Sequence, residues 1–151
     1  MVCQMIARNR RTTILINGKR EVSRQISNEI STHYPIVQLE EPNEGLVMVR
    51  MRESAQNSLF NLGEVLITEA KVMINNSIGI GIVEGHRSDM AQDLAVIDAA
   101  WVARLPECDR WETLLLAEEK AIIARRNPET RSVLDTRVRF ETMDTETGSE
   151  S

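Results

Sequence analysis

The residue types that most often carry catalysis are scarce in this chain. It contains two histidines, His33 and His86, and two cysteines, Cys3 and Cys108, in 151 residues. Neither histidine has a neighbour in sequence that would complete a metal site, and the cysteines lack the spacing of a metal or redox motif. No H-E-x-x-H, G-x-S-x-G or P-loop sequence occurs. We therefore expect no active site of its own, no cofactor and no metal, with both thiols reduced.

Three glycines raise the question of a phosphate-binding loop. A dinucleotide fingerprint requires glycines in the turn between a strand and a helix, at G-x-G-x-x-G spacing. Gly79 and Gly81 instead fall inside a predicted strand, so we expect them to allow close approach of a helix or of a partner's backbone. Gly85-His86-Arg87 leads into a helix with Ser88 as its expected cap, and an anion site there is a weaker alternative.

The charge of the chain is uneven. Its net charge is −5, yet residues 1–34 carry six bases and two acids, while the last eleven residues carry four acids and no base. The N-terminal arginines favour a solvated or partner-facing surface over a nucleic-acid site, because no aromatic residues are interleaved with them for base stacking. Glu118 and Glu119, adjacent on a predicted helix, are interpreted as solvent-facing charge. No window has the apolar length of a membrane span, and the N-terminal residues lack the basic-then-apolar pattern of a signal peptide, so we expect a cytoplasmic protein.

Hydrophobic periodicity predicts strands grouped together between helices. Val22, Ile26 and Ile30 form one stripe of a helix over Lys19–Tyr34, which Pro35 ends. The chain then predicts strands at Ile36–Glu40, Leu46–Arg52, Leu62–Ile74 and Ile78–Glu84. In Leu46–Arg52 both faces carry apolar residues, and one of them ends in two arginines.

Polar segments separate these strands. Turns are expected at Pro42–Gly45, at Ser54–Ser58 and at Asn75-Asn76, where paired asparagines tolerate left-handed geometry. The fold class is therefore α+β, with an antiparallel sheet of about four strands flanked by an N-terminal helix and C-terminal helices.

The C-terminal half predicts helices. The first covers Asp89–Leu105, where Asp98 lies beside the apolar stripe as a satisfied polar group or, less favoured, a carboxylate that pairs with a partner. A second helix begins with a capping box at Asp109 and Glu112 and runs to about Arg126. Asn127-Pro128 restarts a third, to about Arg137. We expect one domain over residues 1–143 and an acidic, disordered tail over residues 144–151.

Three segments in order resemble one known family. They are Gly45–Arg50 with Phe60–Val65 and Thr68-Glu69-Ala70, then Ile97–Ala100, then the run Arg137–Met143 (R-V-R-F-E-T-M). Together they resemble the PhnG subunit family of bacterial carbon–phosphorus lyase over nearly the whole chain. The resemblance implies a subunit without its own active site, in a complex with PhnH-, PhnI- and PhnJ-like partners and a PhnL-like ATPase. The complex would use ATP and a phosphonate as substrates, with no nucleic acid or membrane involved.

The resemblance also implies a reaction. Methylphosphonate displaces adenine from ATP, giving α-D-ribose 1-methylphosphonate 5-triphosphate, so that phosphonates serve as a phosphorus source. Carried onto this sequence, the residues expected to contact a partner or substrate are Arg50, Arg52, Asn61, Gly63 and Glu64. Their structural alternative is that Gly63 serves backbone geometry and Glu64 pairs with a strand arginine. The alternative function is a stand-alone α+β module that binds a small anion, either as a monomer or as a homodimer.

Overall fold

The computed structural model describes the backbone of residues 5–135 and the side chains of residues 5–127. In chain order its elements are α1 (Arg8–Asn17), α2 (Arg20–His33), β1 (Val37–Arg52), β2 (Leu59–Ile74), β3 (Ser77–Glu84), α3 (Ser88–Val102) and α4 (Cys108–Asp135). The strands form one antiparallel sheet in the order β1-β2-β3, which confirms the α+β class. The Arg137–Met143 motif and the predicted acidic tail lie outside the described residues. No helix within residues 5–135 is long and apolar enough to cross a bilayer.

Helix α3 forms the centre of the molecule. Ten of its fifteen residues are buried, because one side packs on the sheet and α2 packs on another. The sheet presents the buried β2 residues Thr68, Ala70, Val72 and Ile74 to this helix. Their spacing of two residues is the alternation expected of a strand with one covered face.

Two glycines of β3 allow α3 to approach the sheet at backbone distance. A Cβ atom on Gly79 would lie 2.2 Å from the carbonyl oxygen of Ala95 and from the amide nitrogen of Ala99. One on Gly81 would lie 2.0 Å from the carbonyl oxygen of Ala91. The small residues at 91, 95 and 99 recur every fourth position, so one helical stripe faces both glycines. The structure therefore confirms that these glycines serve close packing.

A threonine from β2 fixes the turn between β3 and α3. The hydroxyl of the fully buried Thr68 donates to the carbonyl of Gly85 and accepts the N–H of Arg87 at 3.1 Å. Arg87 occupies the N-cap position and Ser88 is the first helical residue, so the prediction of Ser88 as the cap was wrong. Helix α3 has no side-chain cap, and since Thr68 reaches the turn from another strand, local sequence did not reveal this contact.

The predicted turn at Pro42–Gly45 was also wrong, because β1 continues through it as one strand. The pairing of β1 with β2 shifts register between Gln38 and Glu40 and again between Glu40 and Asn43. Bulges in an edge strand absorb extra residues and a proline without ending the strand. The structure thus has three strands, with the first two predicted segments joined, while the turn at Asn75-Asn76 is confirmed by φ values of 47° and 62°.

Helix α4 likewise joins two predicted helices. It runs from Cys108 to Asp135 and includes Asn127 and Pro128, so the expected restart there does not occur. A proline removes one backbone donor, and a long helix can retain its remaining hydrogen bonds around it. Asp109 lies in the first turn rather than at the N-cap, so it does not form the predicted capping box.

A buried carboxylate joins three elements. Asp98 of α3 is 4% exposed and accepts hydrogen bonds from Arg11 at 2.6 Å and Arg8 at 2.5 Å, both in α1. It also accepts the backbone N–H of Ile80 in β3 at 3.0 Å. Arg11 is buried too, and its guanidinium carbon lies 5.1 Å from the centroid of the Trp101 ring. The structure therefore confirms Asp98 as a satisfied polar group.

Replacing Gly79 with alanine should destabilise the fold severely. The added Cβ meets helix backbone on both sides, and backbone cannot rotate away as a side chain can, so we expect a loss of at least about 3 kcal/mol. Denaturant unfolding measures this loss. Gly45→Ala is the matched control, because nothing lies within 4 Å of a Cβ there. Equal stability of the two variants would contradict the packing described here.

Replacing Asp98 with asparagine should cost about 3 kcal/mol, because Arg11 would remain buried without its counter-charge. Arg11→Met should cost less, since Asp98 retains Arg8 and the Ile80 N–H. The Arg11→Met/Asp98→Asn double variant should lose less stability than the sum of the single variants. A double-mutant cycle by denaturant unfolding tests this, and additive losses would argue against the buried pair. Glu119→Gln, which breaks the exposed pair with Arg10, should have a much smaller effect.

Candidate functional site

The strands β1 and β2 extend beyond β3 as a two-stranded ribbon. Both are 16 residues long, whereas β3 has 8 residues and pairs with β2 only from Ile67 to Ile74. The remaining pairs run from Leu46 opposite Leu66 to Arg52 opposite Leu59, and residues 53–58 close the end as a loop. We call residues 46–65 the β-arm. The loop within it confirms the predicted polar connection.

The β-arm exposes an unusual amount of apolar surface. Of the fourteen large apolar side chains that are exposed in the described part of the chain, seven lie in the arm: Leu46, Val47, Met48, Met51, Leu59, Phe60 and Leu62. Leu46 is 64% exposed, Leu62 60% and Phe60 44%. Successive side chains of a strand point to opposite faces, so the run at 46–48 makes both faces apolar. Exposed apolar surface of this kind is typical of interaction sites.

The five residues carried over from the resemblance all lie in this arm. Arg50 pairs with Asn61 across the two strands, Gly63 lies opposite Val49, and Glu64 lies opposite Met48. Arg52 lies opposite Leu59, beside the loop, and its Nη1 donates to the carbonyl of Asn57 at 3.3 Å. The fold therefore brings the five together on one exposed ribbon, where the arginines flank the apolar surface.

The structural alternative for Gly63 and Glu64 has two parts, and the structure supports only the first. Gly63 adopts a φ of +157°, next to a register irregularity at Val49 and Arg50 that leaves Leu62 without a cross-strand partner. A backbone role for this glycine agrees with that geometry. No ion pair joins Glu64 to Arg50 or Arg52 among the described residues. The expected pairing of Glu64 with a strand arginine was therefore wrong.

The sheet face away from α3 is also partly open. Ile78 and Ile82 of β3 are about half exposed there, at 51% and 47%. On the same face Lys71 bridges Glu40 at 3.0 Å and Glu69 at 3.1 Å. This face continues along β1 and β2 into the β-arm, so the two form one extended surface with apolar and ionic parts.

The sequence did not identify the arm's apolar side chains as functional. Alternation in Leu46–Arg52 predicted a strand, and strands usually bury one apolar face. The one signal was that apolar residues occupy both odd-numbered and even-numbered positions of this run, and therefore both faces of the strand. That pattern fits either a strand buried on both faces within its own chain or a strand with two exposed apolar faces. Only the structure distinguishes these two cases.

The other candidate residues do not assemble a reactive site. His86 contacts Glu44, and Nδ1 of His33 lies 2.8 Å from the carbonyl oxygen of Glu29. Among the described residues, no group of three or more His, Cys, Asp or Glu side chains is placed to hold a metal ion. At Gly85–Arg87 the N–H of Arg87 is already used by Thr68, which weakens the alternative of an anion site there.

Glu118 and Glu119 are not simply solvent-facing, as the sequence led us to expect. Glu119 accepts two hydrogen bonds from Arg10, and Glu118 accepts the backbone N–H of Lys19 at 2.9 Å. The Glu119 carboxylate raises the pKa of Arg10, and the hydrogen bond from Arg10 lowers that of Glu119. These contacts attach α4 to α1 and to the turn before α2, a structural role.

Cys108 should not react as a nucleophile in the native protein. It is buried, its Sγ donates to the carbonyl of Ala100 at 3.5 Å, and burial raises its pKa to about 11. Because the thiolate is the reactive form, we expect iodoacetamide at pH 8 to alkylate Cys108 only after unfolding. Mass spectrometry of the peptide that contains Cys108, with and without denaturant, measures this. Comparable labelling rates in both conditions would contradict the burial described here.

Comparison with known proteins identifies the family of this chain. The family model described as "Phosphonate metabolism protein PhnG" matches residues 6–145. A search of curated proteins gave no match. The matched range contains the whole described fold from α1 onward, including the β-arm and the open sheet face. The chain therefore belongs to the PhnG family of phosphonate metabolism proteins.

Proposed function

We propose that this chain is a non-catalytic subunit of a carbon–phosphorus lyase complex. In that complex it supports the formation of α-D-ribose 1-methylphosphonate 5-triphosphate from ATP and methylphosphonate, with release of adenine. Two observations support this proposal. The chain belongs to a phosphonate metabolism family, and its β-arm exposes apolar side chains on both faces.

The exposed β-arm would gain stability if another chain covered it. Removing the apolar surface of this ribbon from water is favourable by roughly 25 cal/mol per Å² of surface buried. Its strands also leave backbone groups unpaired along their outer edges, which invites pairing with another chain. A partner with an apolar cleft would cover both faces at once. The proposed partners are the PhnH-, PhnI- and PhnJ-like subunits, with a PhnL-like ATPase.

The aromatic and polar residues of the arm fit the same role. Phe60 is one of two phenylalanines in the chain, and aromatic and arginine side chains are enriched where interfaces bind most strongly. Arg50 and Arg52, with Asn61, Gly63 and Glu64, are therefore proposed to contact a partner, or the substrate that a partner holds. Arginine suits phosphate-type oxygens as well as carboxylates.

The chemistry of adenine displacement is assigned to the partners. The resemblance gives the nucleosidase step to a PhnI-like subunit and the iron–sulfur radical step to a PhnJ-like subunit. This chain has two cysteines in all, fewer than the set that ligates a cluster, and Cys108 is buried as a thiol. The proposal places the assembled complex in the cytoplasm.

Co-expression tests the proposal directly. A tagged copy of this chain is expressed with PhnH-, PhnI- and PhnJ-like proteins, and the purified material is assayed for adenine release from ATP and methylphosphonate. We expect stable co-purification, and loss of adenine release when this chain is omitted. If the chain is soluble and folded alone and co-purifies with none of the three partners, the proposal is overturned and the stand-alone module is favoured.

The double substitution Phe60→Ser/Leu62→Ser should weaken co-purification of the partners at least about tenfold, because two exposed apolar contacts are removed. Both side chains are exposed in the free chain, so the melting temperature should stay close to that of the wild type. Ile123→Ser is the matched control, since Ile123 is 53% exposed but lies on α4. Equal losses in the arm variant and this control would show that the arm is not the docking surface.

A further inference from the structure

The two outer edges of the sheet differ in whether another strand can pair with them. Along β3 the N–H of Ile80 points outward and donates to Asp98 at 3.0 Å, so a side chain already occupies the middle of that edge. In the first half of β1 two register shifts and Pro42, which has no N–H, interrupt the other edge. From Glu44 to Arg52, β1 contains neither a proline nor an extra residue. This second half of β1 is therefore the part of the edge that is suited to strand pairing.

Hydrogen bonds at both ends of the β-arm establish which positions of β1 direct their backbone groups outward. The N–H of Gly85 donates to the carbonyl of Leu66, so this carbonyl faces β3. Leu46 lies directly opposite Leu66, and its own N–H and C=O therefore face away from β2, because backbone groups alternate between the two sides of a strand. At the loop, the N–H of Glu53 donates to the carbonyl of Ser58, so odd-numbered positions face β2 there as well. The even-numbered positions of β1 thus form the open edge.

We propose that a second copy of this chain pairs with this edge, antiparallel, about a two-fold axis that passes through Val47. A two-fold interface brings the same patch of both copies together, so outward-facing positions have to lie opposite one another. With the axis at Val47, Leu46 lies opposite Met48 of the second copy. Glu44 then lies opposite Arg50 of the second copy, and all of these paired positions are even-numbered. Apolar side chains meet at the centre of the interface, and opposite charges meet at both of its ends.

Charge favours this register over the neighbouring ones, because opposite charges directly across two antiparallel strands stabilise their pairing. An axis at Leu46 would place Glu44 opposite Met48, where it has no counter-charge. An axis at Met48 would pair Glu44 with Arg52. That second shift would also place Leu46 opposite Arg50, so that an apolar side chain faces a charge. Among the described residues Arg50 forms no ion pair within its own chain, and the second copy supplies its counter-charge.

This pairing does not rest on the proposed function, because it uses the edge of β1 and not the two faces of the β-arm. Joining β1 to its copy unites two three-stranded sheets into one continuous sheet, with the two arms side by side. Both faces of each arm stay open to other subunits, since strand pairing occupies backbone groups at the edge. The dimer uses Arg50 and leaves Arg52 available.

Sedimentation velocity of the full-length chain alone, over a range of protein concentrations, tests the association. We expect a dimer with a dissociation constant below about 50 μM. Arg50→Glu should weaken it about tenfold, because two symmetric pairs exchange attraction for repulsion. The Glu44→Arg/Arg50→Glu double variant should restore it, and both side chains are exposed, so the fold should be retained. Arg24→Glu, which changes the net charge equally on α2, is the control and should leave the dimer unchanged. A chain that stays monomeric well above about 50 μM, or a double variant without rescue, would overturn the proposal.

A cysteine on the two-fold axis tests the register. Val47→Cys, in a Cys3→Ser background, places two thiols at a non-hydrogen-bonded pair, where the Cα atoms are about 4.5 Å apart and a disulfide can form. The native Cys108 is buried. We expect mild oxidation to give a covalent dimer. Val49→Cys is the matched control, because its counterpart lies four residues along the second strand, about 13 Å away. Equal cross-linking of the two variants would overturn the proposed register.

Hydrogen exchange separates a second copy from any other occupant of the edge. In the chain alone, protection of the amides at positions 44, 46, 48 and 50 should increase with protein concentration. A monomer whose edge amides become protected only when it co-purifies with other subunits would assign the edge to a strand of a partner. That result would overturn this proposal and leave the proposed function intact. A dimer that co-purifies with none of the other subunits would support this proposal and overturn the proposed function.

Discussion

The arrangement of this molecule depends on the buried carboxylate of Asp98. It connects Arg8 and Arg11, which lie 90 and 87 residues earlier in the chain, with the backbone of Ile80 in β3. A buried ion pair is stable only when its geometry is good and its remaining lone pairs are satisfied. Asp98 meets that condition through two cations and one amide. As a result α1 is held at one place on α3, and the outer edge of β3 receives a hydrogen-bond partner there.

The molecule combines a closely packed body with a sheet face and a β-arm that remain exposed. The body is made by α3, whose alanines contact the backbone of Gly79 and Gly81. Close packing of this kind leaves little room for motion or for ligands between sheet and helix. The opposite sheet face and the β-arm have no such cover. Their apolar side chains are therefore exposed. In permanent complexes, surfaces of this kind are buried against other chains.

Much of the body could be predicted from the sequence because the responsible signals are local. The stripe of Val22, Ile26 and Ile30 predicted α2, the paired asparagines predicted their turn, and Gly79 and Gly81 predicted a close helix. The errors have a common origin: a local signal predicted a break in the chain, and the surrounding structure overrides it. Pro42 and Pro128 each read as a break, yet the first is absorbed by a bulged edge strand and the second by a long helix.

The candidate sites were harder to predict because each depends on residues distant in sequence. Arg11 belongs to a run of bases that reads as solvated surface, and its burial follows only from Asp98 and Trp101. The five arm residues were found through resemblance, whereas their shared exposure required knowing where β3 ends. Trp101 appeared as one more apolar position of a helix. Its unpaired N–H is a property of the packed structure alone.

The place where the fold leaves apolar side chains uncovered therefore identifies its candidate surface. The β-arm requires apolar cover on both faces, which water cannot supply and another protein can. The packed body has no such requirement, because α3 and the covered sheet face bury each other's apolar side chains. The proposed docking of a partner is therefore confined to the arm and the open sheet face.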